Sequence, residues 1–346
     1  MIKMTEKEIL ALVSTQTDTL AGYYNKNRKV NFNGKPYILR IPIQNAVSMD
    51  MRLIPENEVL AFLAKYGGFD IPKVEMKETY DGQDYFLHSF IDGETVENVY
   101  PESDILPDWI VIEVVKAVIT LHKIPLESLN CFTTRMPWKL DTKDFYDYIY
   151  SYNRGLIQKY NQDYREIFDI FGMPKDLDNF IVNKKQELGD AAFILAHSDI
   201  HRKNIIIDET IRKATIIDWE LALITTTLYD ISIHFHKMRY QLHQEEMFLT
   251  LYCKAFGIDK KLTEKQIRLY RDLEEVKSVA IDVVRYLSII NDISDEEIIS
   301  NAKRYYSKLR KAYICWGTDL NTLKESDICE FFISRKGWAL EDYQEE

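Results

Sequence analysis

Residues 197–204 read His197-Ser198-Asp199-Ile200-His201-Arg202-Lys203-Asn204, and the chain continues through Ile205-Ile206-Ile207, a polar turn at Asp208-Glu209, and Ala214-Thr215-Ile216-Ile217 to Asp218. Two β-prone runs around a polar turn predict a hairpin. Asp218 follows Asn204 by fourteen residues. A hairpin brings its ends together, so this spacing sets the Asp218 carboxylate beside the Asn204 amide. One carboxylate and one amide oxygen converging on a point suit Mg²⁺, which takes oxygen ligands and keeps several waters. Asp199 supplies a second carboxylate five residues ahead of Asn204. A hydroxyl that attacks a phosphoryl group needs a carboxylate to orient it and accept its proton, and a neutral oxygen nearby to hold a metal without adding negative charge. Asp199 and Asn204 meet those two needs.

Outward from this stretch, the pattern divides. Residues 4–14 have the spacing of a short helix. Val30-Asn31-Phe32, the turn Asn33-Gly34-Lys35-Pro36 and Tyr37-Ile38-Leu39-Arg40-Ile41 carry the Asn-Gly signature of a hairpin. Pro55 opens a helix through Glu56-Asn57-Glu58-Val59-Leu60-Ala61-Phe62-Leu63, which Gly67-Gly68 ends. Val74–Lys77 and Tyr85–Phe90 read as two further strands, and Ile91-Asp92-Gly93-Glu94 breaks the pattern. From Asp108 onward the chain reads as mainly helical, apart from the hairpin at 205–217. The expected class is therefore α+β: a small β-rich N-lobe with one helix over residues 1–91, and a larger, mainly helical C-lobe over residues 92–346.

The spacing of His197, Asp199 and Asn204 resembles the H-x-D-x-x-x-x-N catalytic loop of protein kinases and their relatives. The run Leu195–Asn204, then Ile205–Asp208, then Ile216-Ile217-Asp218-Trp219-Glu220, resembles more particularly the aminoglycoside phosphotransferase and choline kinase superfamily. That resemblance implies a bilobal protein-kinase-like fold and a small-molecule kinase using ATP or GTP with Mg²⁺. It implies Asp199 as the catalytic aspartate, with His197 and His201 in the same catalytic motif, and Asn204 and Asp218 as metal ligands. Leu228-Tyr229-Asp230-Ile231 resembles the segment after that site, with Asp230 capping a helix or supporting the loop. In the N-lobe, Arg40 stands where kinases carry the lysine that holds the α/β-phosphates, and Glu56 stands where its helix partner lies. Glu58 competes for that partnership. Glu56 and Glu58 point to different helix faces, so only one can serve. Gly22 and Asn25 occupy the place of the nucleotide loop, although Ala21–Asn27 is not a G-x-G-x-x-G. Ser89, Phe90 and Ile91 resemble the hinge whose backbone would bond adenine, and Val114–Pro125 resembles the helix that follows. The likeness spans roughly Leu20 to Asp230. It departs from protein kinases in Ser198, which replaces the loop arginine, in His201, which replaces the loop lysine, and in the lack of an APE segment. These departures argue against a protein substrate.

The 346 residues carry 55 acidic and 44 basic side chains, a net charge of −11. A basic footprint for nucleic acid is missing. No stretch near Met1–Leu20 has the apolar core of a signal peptide, and the most apolar stretch, Trp109–Leu121, is too short and too charged to span a bilayer. Cys131, Cys253, Cys315 and Cys329 form no CxxC pair and read as free thiols in a reducing cytoplasm. His234 and His236, two residues apart on a helix, face different ways and read as structural. Glu220 reads either as a contact for a substrate ammonium or as scaffold. Asp282 and Arg285 read either as an intrahelical pair or as substrate contacts. Acidic residues near the C-terminus, among them Glu325, Asp327 and Glu330, together with Trp316 and Trp338, suggest a cationic hydroxyl acceptor such as an aminoglycoside-like antibiotic or an amino alcohol. The chain is expected to be a monomer or dimer. The alternative function is a non-catalytic nucleotide-binding or structural member of the same fold, of the spore-coat kind.

Overall fold

The computed structural model describes residues 5–14, 19–20, 25–43, 51–80, 82–173, 184–316 and 323–338. Gly22 lies outside the described residues. In chain order the elements are α1 (Glu6–Ser14), β1 (Thr19–Leu20), β2 (Asn25–Phe32), β3 (Lys35–Pro42), α2 (Glu56–Tyr66), β4 (Val74–Tyr80), β5 (Gln83–Ser89), β6 (Glu94–Thr95), α3 (Val96–Val99), α4 (Asp108–His122), α5 (Asn130–Thr133), α6 (Thr142–Asp163), α7 (Arg165–Ile170), β7 (Phe193–Ala196), β8 (Ile205–Asp208), β9 (Lys213–Ile216), β10 (Leu223–Thr226), α8 (Thr227–Met238), α9 (Leu242–Phe256), α10 (Lys260–Ser288), α11 (Asp295–Trp316) and α12 (Glu325–Ser334). The expected α+β class, a β-rich N-terminal part with a mainly helical remainder, is what the structure has.

The chain forms two compact units. The first comprises Met1–Met136, Phe193–Asp230 and Lys237–Lys260, and the second Pro137–Ala192, Ile231–His236 and Lys261–Glu346. In the first, an antiparallel sheet runs in the order β1-β2-β3-β5-β4. The Asn-Gly hairpin forms as the sequence predicts, but its loop is only Asn33 (φ 49°) and Gly34 (φ 75°), and Phe32 faces Lys35 across it. Two positive-φ residues suffice for a turn whose twist matches the strands, so Lys35 and Pro36 join β3. Alternate residues of the strands, Val30, Tyr37, Leu39, Ile41, Met76, Tyr85 and Leu87, gather with Ile9 of α1 into one apolar cluster. Arg40 stands between Leu39 and Ile41, so it points to the opposite face of β3. That face carries the site.

The second sheet of this unit has the order β6-β8-β9. Ile205 pairs with Ile216, and the Ile217 N–H donates to the Asn204 carbonyl at 2.9 Å, so the 205–217 hairpin closes as expected. The β6 strand is an addition: Ile91–Glu94 was expected only to break the pattern, yet Glu94 and Thr95 pair with Ile207 and Ile206. A strand of two residues has no periodicity to read. The β7–β10 ribbon was also unforeseen; Leu223–Thr226 is buried on both faces and so lacks the alternation that marks a half-buried strand. The second unit is mainly helical, with α10, α6 and α11 its longest described elements. No helix among the described residues is long and apolar enough to cross a membrane.

Gly93 is where β6 must approach β8. Its φ is +131°, and a Cβ there would lie 2.5 Å from the Ile207 carbonyl oxygen and 2.8 Å from Ile206 Cγ2. Both the backbone conformation and the space exclude a side chain. Gly93→Ala is expected to cost roughly 2–4 kcal/mol through strain and overpacking, read as a lower denaturation midpoint in urea with an unchanged slope.

Candidate active site

The loop after β7 is held from behind. His197 is fully buried. Its Nε2–H donates to the Ile217 carbonyl at 3.0 Å, while its Nδ1 accepts the Asp199 N–H at 3.2 Å. These two bonds require the neutral Nε2–H tautomer, and burial, which holds the imidazole below its ordinary value, keeps it neutral. His197 thus ties the Asp199 backbone to the strand end that presents Asp218. The next residue, Ser198, has φ 61°, a strained conformation for a non-glycine residue. Its N–H donates to Asp230 Oδ1 at 2.9 Å, and Asp230 Oδ2 meets His122 Nε2 at 2.8 Å. His122 in turn reaches the Tyr252 hydroxyl through Nδ1 at 2.9 Å. Burial would raise the Asp230 pKa, but the bonds from His122 and Ser198 overcome it and hold the carboxyl below its ordinary value. Arg202, 5 % exposed, anchors the far side of the loop by donating to the carbonyls of Tyr100 and Asp104 at 2.8 and 3.0 Å.

The loop so fixed brings Asp199 and Asn204 together. Asn204 Nδ2 donates to the Asp199 carbonyl at 3.0 Å and to its Oδ2 at 3.1 Å. With its nitrogen so engaged, the amide oxygen of Asn204 is the group left to meet a cation. His201 caps the one-turn helix Arg202–Asn204, accepting the Lys203 N–H at 3.3 Å, with Nε2 lying 3.6 Å from Asp199 Oδ2. Lys237, in the last turn of α8, pairs with Asp199 Oδ1. Burial alone would raise the Asp199 pKa; the charges of Lys237 and His201 reverse the direction and hold it well below the ordinary carboxylate range.

Asp218 follows β9 at φ 65°, the second strained residue of the site. Its Oδ1 accepts from Arg40 Nη2 at 2.8 Å. Arg40 also meets Glu56, Nε to Oε2 at 3.1 Å, and Glu220, Nη2 to Oε2 at 2.9 Å. One buried guanidinium therefore serves three carboxylates. Burial and the neighbouring acids push both the Glu56 and the Glu220 carboxyls up, only partly offset by Arg40. Glu56 additionally accepts the Trp219 N–H at 3.0 Å, fixing the residue after Asp218. Glu58, the rival partner, pairs instead with Arg135 at 2.7 Å. Asn25 Nδ2 donates to Glu220 Oε2 at 2.6 Å, so Glu220 is committed to Arg40 and Asn25.

A family described as a phosphotransferase enzyme family matches residues 17–267. The chain belongs to that family. Short stretches are similar to two curated Arabidopsis thaliana proteins. One is 29 % identical to a probable choline kinase 2 over 97 residues, 26 % of this chain and 27 % of that protein. The other is 40 % identical to a probable choline kinase 3 over 80 residues, 23 % of this chain and 22 % of that protein. The matched stretches thus span about a quarter of these relatives. Among solved structures, a Plasmodium vivax ethanolamine kinase superposes with a TM-score of 0.57 at 15 % identity, covering 92 % of this chain and 83 % of that one. The choline kinase LicA from Streptococcus pneumoniae gives 0.54 at 15 % identity, covering 88 % and 97 %. These likenesses show a protein-kinase-like fold.

Other residues of the phosphotransferase singled out from the sequence fall as follows. Ser89 and Phe90 spend their N–H groups on the Lys73 and Pro36 carbonyls, at 2.9 and 3.4 Å, and His88 Nδ1 lies 3.0 Å from the Ser89 carbonyl. Burial pushes His88 down to about 4, so it is the neutral ring that donates there. Ile91 follows this segment, half-buried. In the second unit Asp282 pairs with Lys308 of α11, a partner on another helix that the intrahelical reading with Arg285 overlooked. His236 pairs with Glu275 at 3.4 Å. The sequence reading missed Lys237, Arg202 and His122 as parts of the site. Their signal lies in pairing across 38, 98 to 102 and 108 residues of chain, which local pattern does not carry.

The Asp230 carboxylate is the buried link that keeps Ser198 in its strained conformation. Asp230→Asn is expected to destabilise the protein by roughly 3–5 kcal/mol at neutral pH, as for other broken buried pairs. Because the folded pKa of Asp230 lies below the unfolded one, its contribution is complete above pH of about 4 and is lost as pH falls below that value. Denaturation midpoints from pH 3 to 7 should therefore fall less steeply toward acid in the variant than in the wild type.

Proposed function

We propose that this chain is a small-molecule kinase that moves the γ-phosphoryl group of a nucleoside triphosphate to a hydroxyl group of its acceptor. The observation that carries this reading is the convergence of Asp199, Asn204 and Asp218: Asn204 bonds Asp199 at 3.1 Å through its side chain and, through its carbonyl, the residue before Asp218 at 2.9 Å. The donor set fits Mg²⁺, with the Asn204 amide oxygen and the Asp218 carboxylate as its protein ligands, the rest of its shell being left to water and phosphate. No group of three or more His, Cys, Asp or Glu suited to a metal occurs among the described residues, which agrees with an ion held largely by its nucleotide. When bound, Mg²⁺ would neutralise the β- and γ-phosphate oxygens.

The chain's own residues do the rest. Asp199, its side chain 14 % exposed, orients the acceptor hydroxyl and receives its proton. His197 and His201 position that carboxylate. Arg40, aimed by Glu56 and Glu220, offers its guanidinium to the α/β-phosphates. The backbone of Ser89–Ile91 would bond the purine edge, and the nucleotide is ATP or GTP. Residues 1–91 would form the nucleotide-binding lobe and residues 92–346 the lobe with catalytic loop and acceptor site. The four free thiols suit a reducing cytoplasm.

Asp199→Ala is expected to leave Mg-nucleotide affinity nearly unchanged and to cut kcat by about 10²–10⁴-fold, whereas Asp218→Asn should weaken Mg-nucleotide binding first. Calorimetry with Mg-ATP and a coupled ADP assay across aminoglycosides, macrolides, sugars and amino alcohols read the two effects separately. Equal ADP release by wild type and Asp199→Ala would instead mark a non-catalytic member of the fold.

For the acceptor we propose a cationic hydroxylated small molecule, supported by the 55 acidic against 44 basic residues. Attraction of that kind is long-range and screened by salt over about 8 Å at physiological ionic strength. The kcat/KM for an amine-bearing acceptor should fall as salt rises, while that for a neutral sugar stays level. Salt-insensitive kinetics with the best acceptor would mean that the acidity serves solubility alone.

A further inference from the structure

The two oxygens of Asp199 have different neighbours. Oδ2 faces Asn204 Nδ2 at 3.1 Å and His201 Nε2 at 3.6 Å, the side of the proposed metal ligands. Oδ1 faces the Lys237 ammonium. Two side chains on the metal side leave Oδ1 as the oxygen that an acceptor hydroxyl would meet, and Lys237 stands there first. Neither group is sealed off: 14 % of the Asp199 side chain and 29 % of the Lys237 side chain are exposed.

The position of Lys237 follows from the helix that carries it. Asp230, in the first turn of α8, accepts the Ser198 N–H. Lys237 comes seven residues later. At 100° per residue, seven residues fall roughly 20° short of two full turns, so Asp230 and Lys237 share one helix face. The same face of α8 fixes the backbone of the loop and delivers a cation to its carboxylate. The loop itself supplies no lysine next to Asp199, since residue 201 is a histidine.

We propose that Lys237 is a catalytic residue: its ammonium, seated on the acceptor-facing oxygen of Asp199, stabilises the negative charge on the attacking oxygen and on the phosphoryl group during transfer. This rests on the kinase reading above. In that step the acceptor oxygen forms a bond to the γ-phosphorus as the bond from the γ-phosphorus to the β,γ-bridging oxygen breaks, and that electron pair leaves with the nucleoside diphosphate. The hydroxyl proton passes to the Asp199 carboxylate, and Lys237 stays protonated throughout. In a loose phosphoryl transfer the negative charge lies mainly on the transferring oxygens. A fixed cation beside the transferring group compensates that charge.

The test compares wild type, Lys237→Met, Lys237→Arg and Asp199→Ala in ADP release from Mg-ATP, with the best acceptor of the panel and with water alone as acceptor. Lys237→Met should lower kcat by about 10²-fold or more with Mg-ATP affinity within about twofold of wild type, and Lys237→Arg should recover at least tenfold of the loss. A purely structural lysine would move affinity and thermal midpoint together and would give no such split. Should Lys237→Met fail to fold, Lys237→Gln is read in its place. If Asp199→Ala is impaired while the uncharged Lys237 variants keep wild-type kcat, the role assigned to Lys237 is wrong and the kinase reading stands. If wild type and Asp199→Ala release ADP equally, the kinase reading falls and takes this role with it.

Discussion

A single buried carboxylate carries the architecture of the site. Asp230, 2 % exposed, accepts from Ser198 N–H and from His122, and so joins the start of α8, the end of α4 and the loop that bears Asp199. Without it, Ser198 would have no bonded reason to hold a positive φ, and the turn that sends Asp199 outward would relax. A buried ion left without partners is costly, so the three elements are bound to one another as strictly as to the carboxylate. The His197 bonds add a second tie, from Asp199 N–H through one neutral imidazole to Ile217. Loop and strand end are thus fixed in mutual register by the fold itself.

The second organising feature is charge left unbalanced on purpose or by history. Around Arg40 stand Glu56, Asp218 and Glu220, three acids to one base, mostly withdrawn from water. The raised Glu56 and Glu220 carboxyls are the direct consequence. Asp199 lies in the opposite situation, with Lys237 and His201 drawing its pKa down. Acidic groups of one site therefore sit on opposite sides of the ordinary carboxylate range, each for a reason visible in its neighbours.

Much of this was legible in the chain. The hairpin at 205–217 and the Asn33-Gly34 turn declared themselves through β-branched runs and turn residues, and the fourteen-residue spacing was enough to bring Asn204 and Asp218 together. The motif from His197 to Asn204 carried the resemblance to the family. The short β6 strand and the doubly buried β10 were not legible in the same way, because both lack periodicity. Glu56, rather than Glu58, as the partner of Arg40 was already implied by the resemblance, and Arg135 takes Glu58.

The sequence by itself determined what adjacent residues settle among themselves: turn types, strand and helix runs, the chemistry available at 197–218, and the family. Local sterics and spacing suffice for that. Only the tertiary structure decided which distant side chains meet. It put Asp230 under Ser198, Lys237 on Asp199, and Arg40 among three carboxylates drawn from α2 and from the segment after β9. The physical reason is that burial and charge pairing act through space. A lysine thirty-eight residues from an aspartate acquires its meaning only when a helix face carries it there.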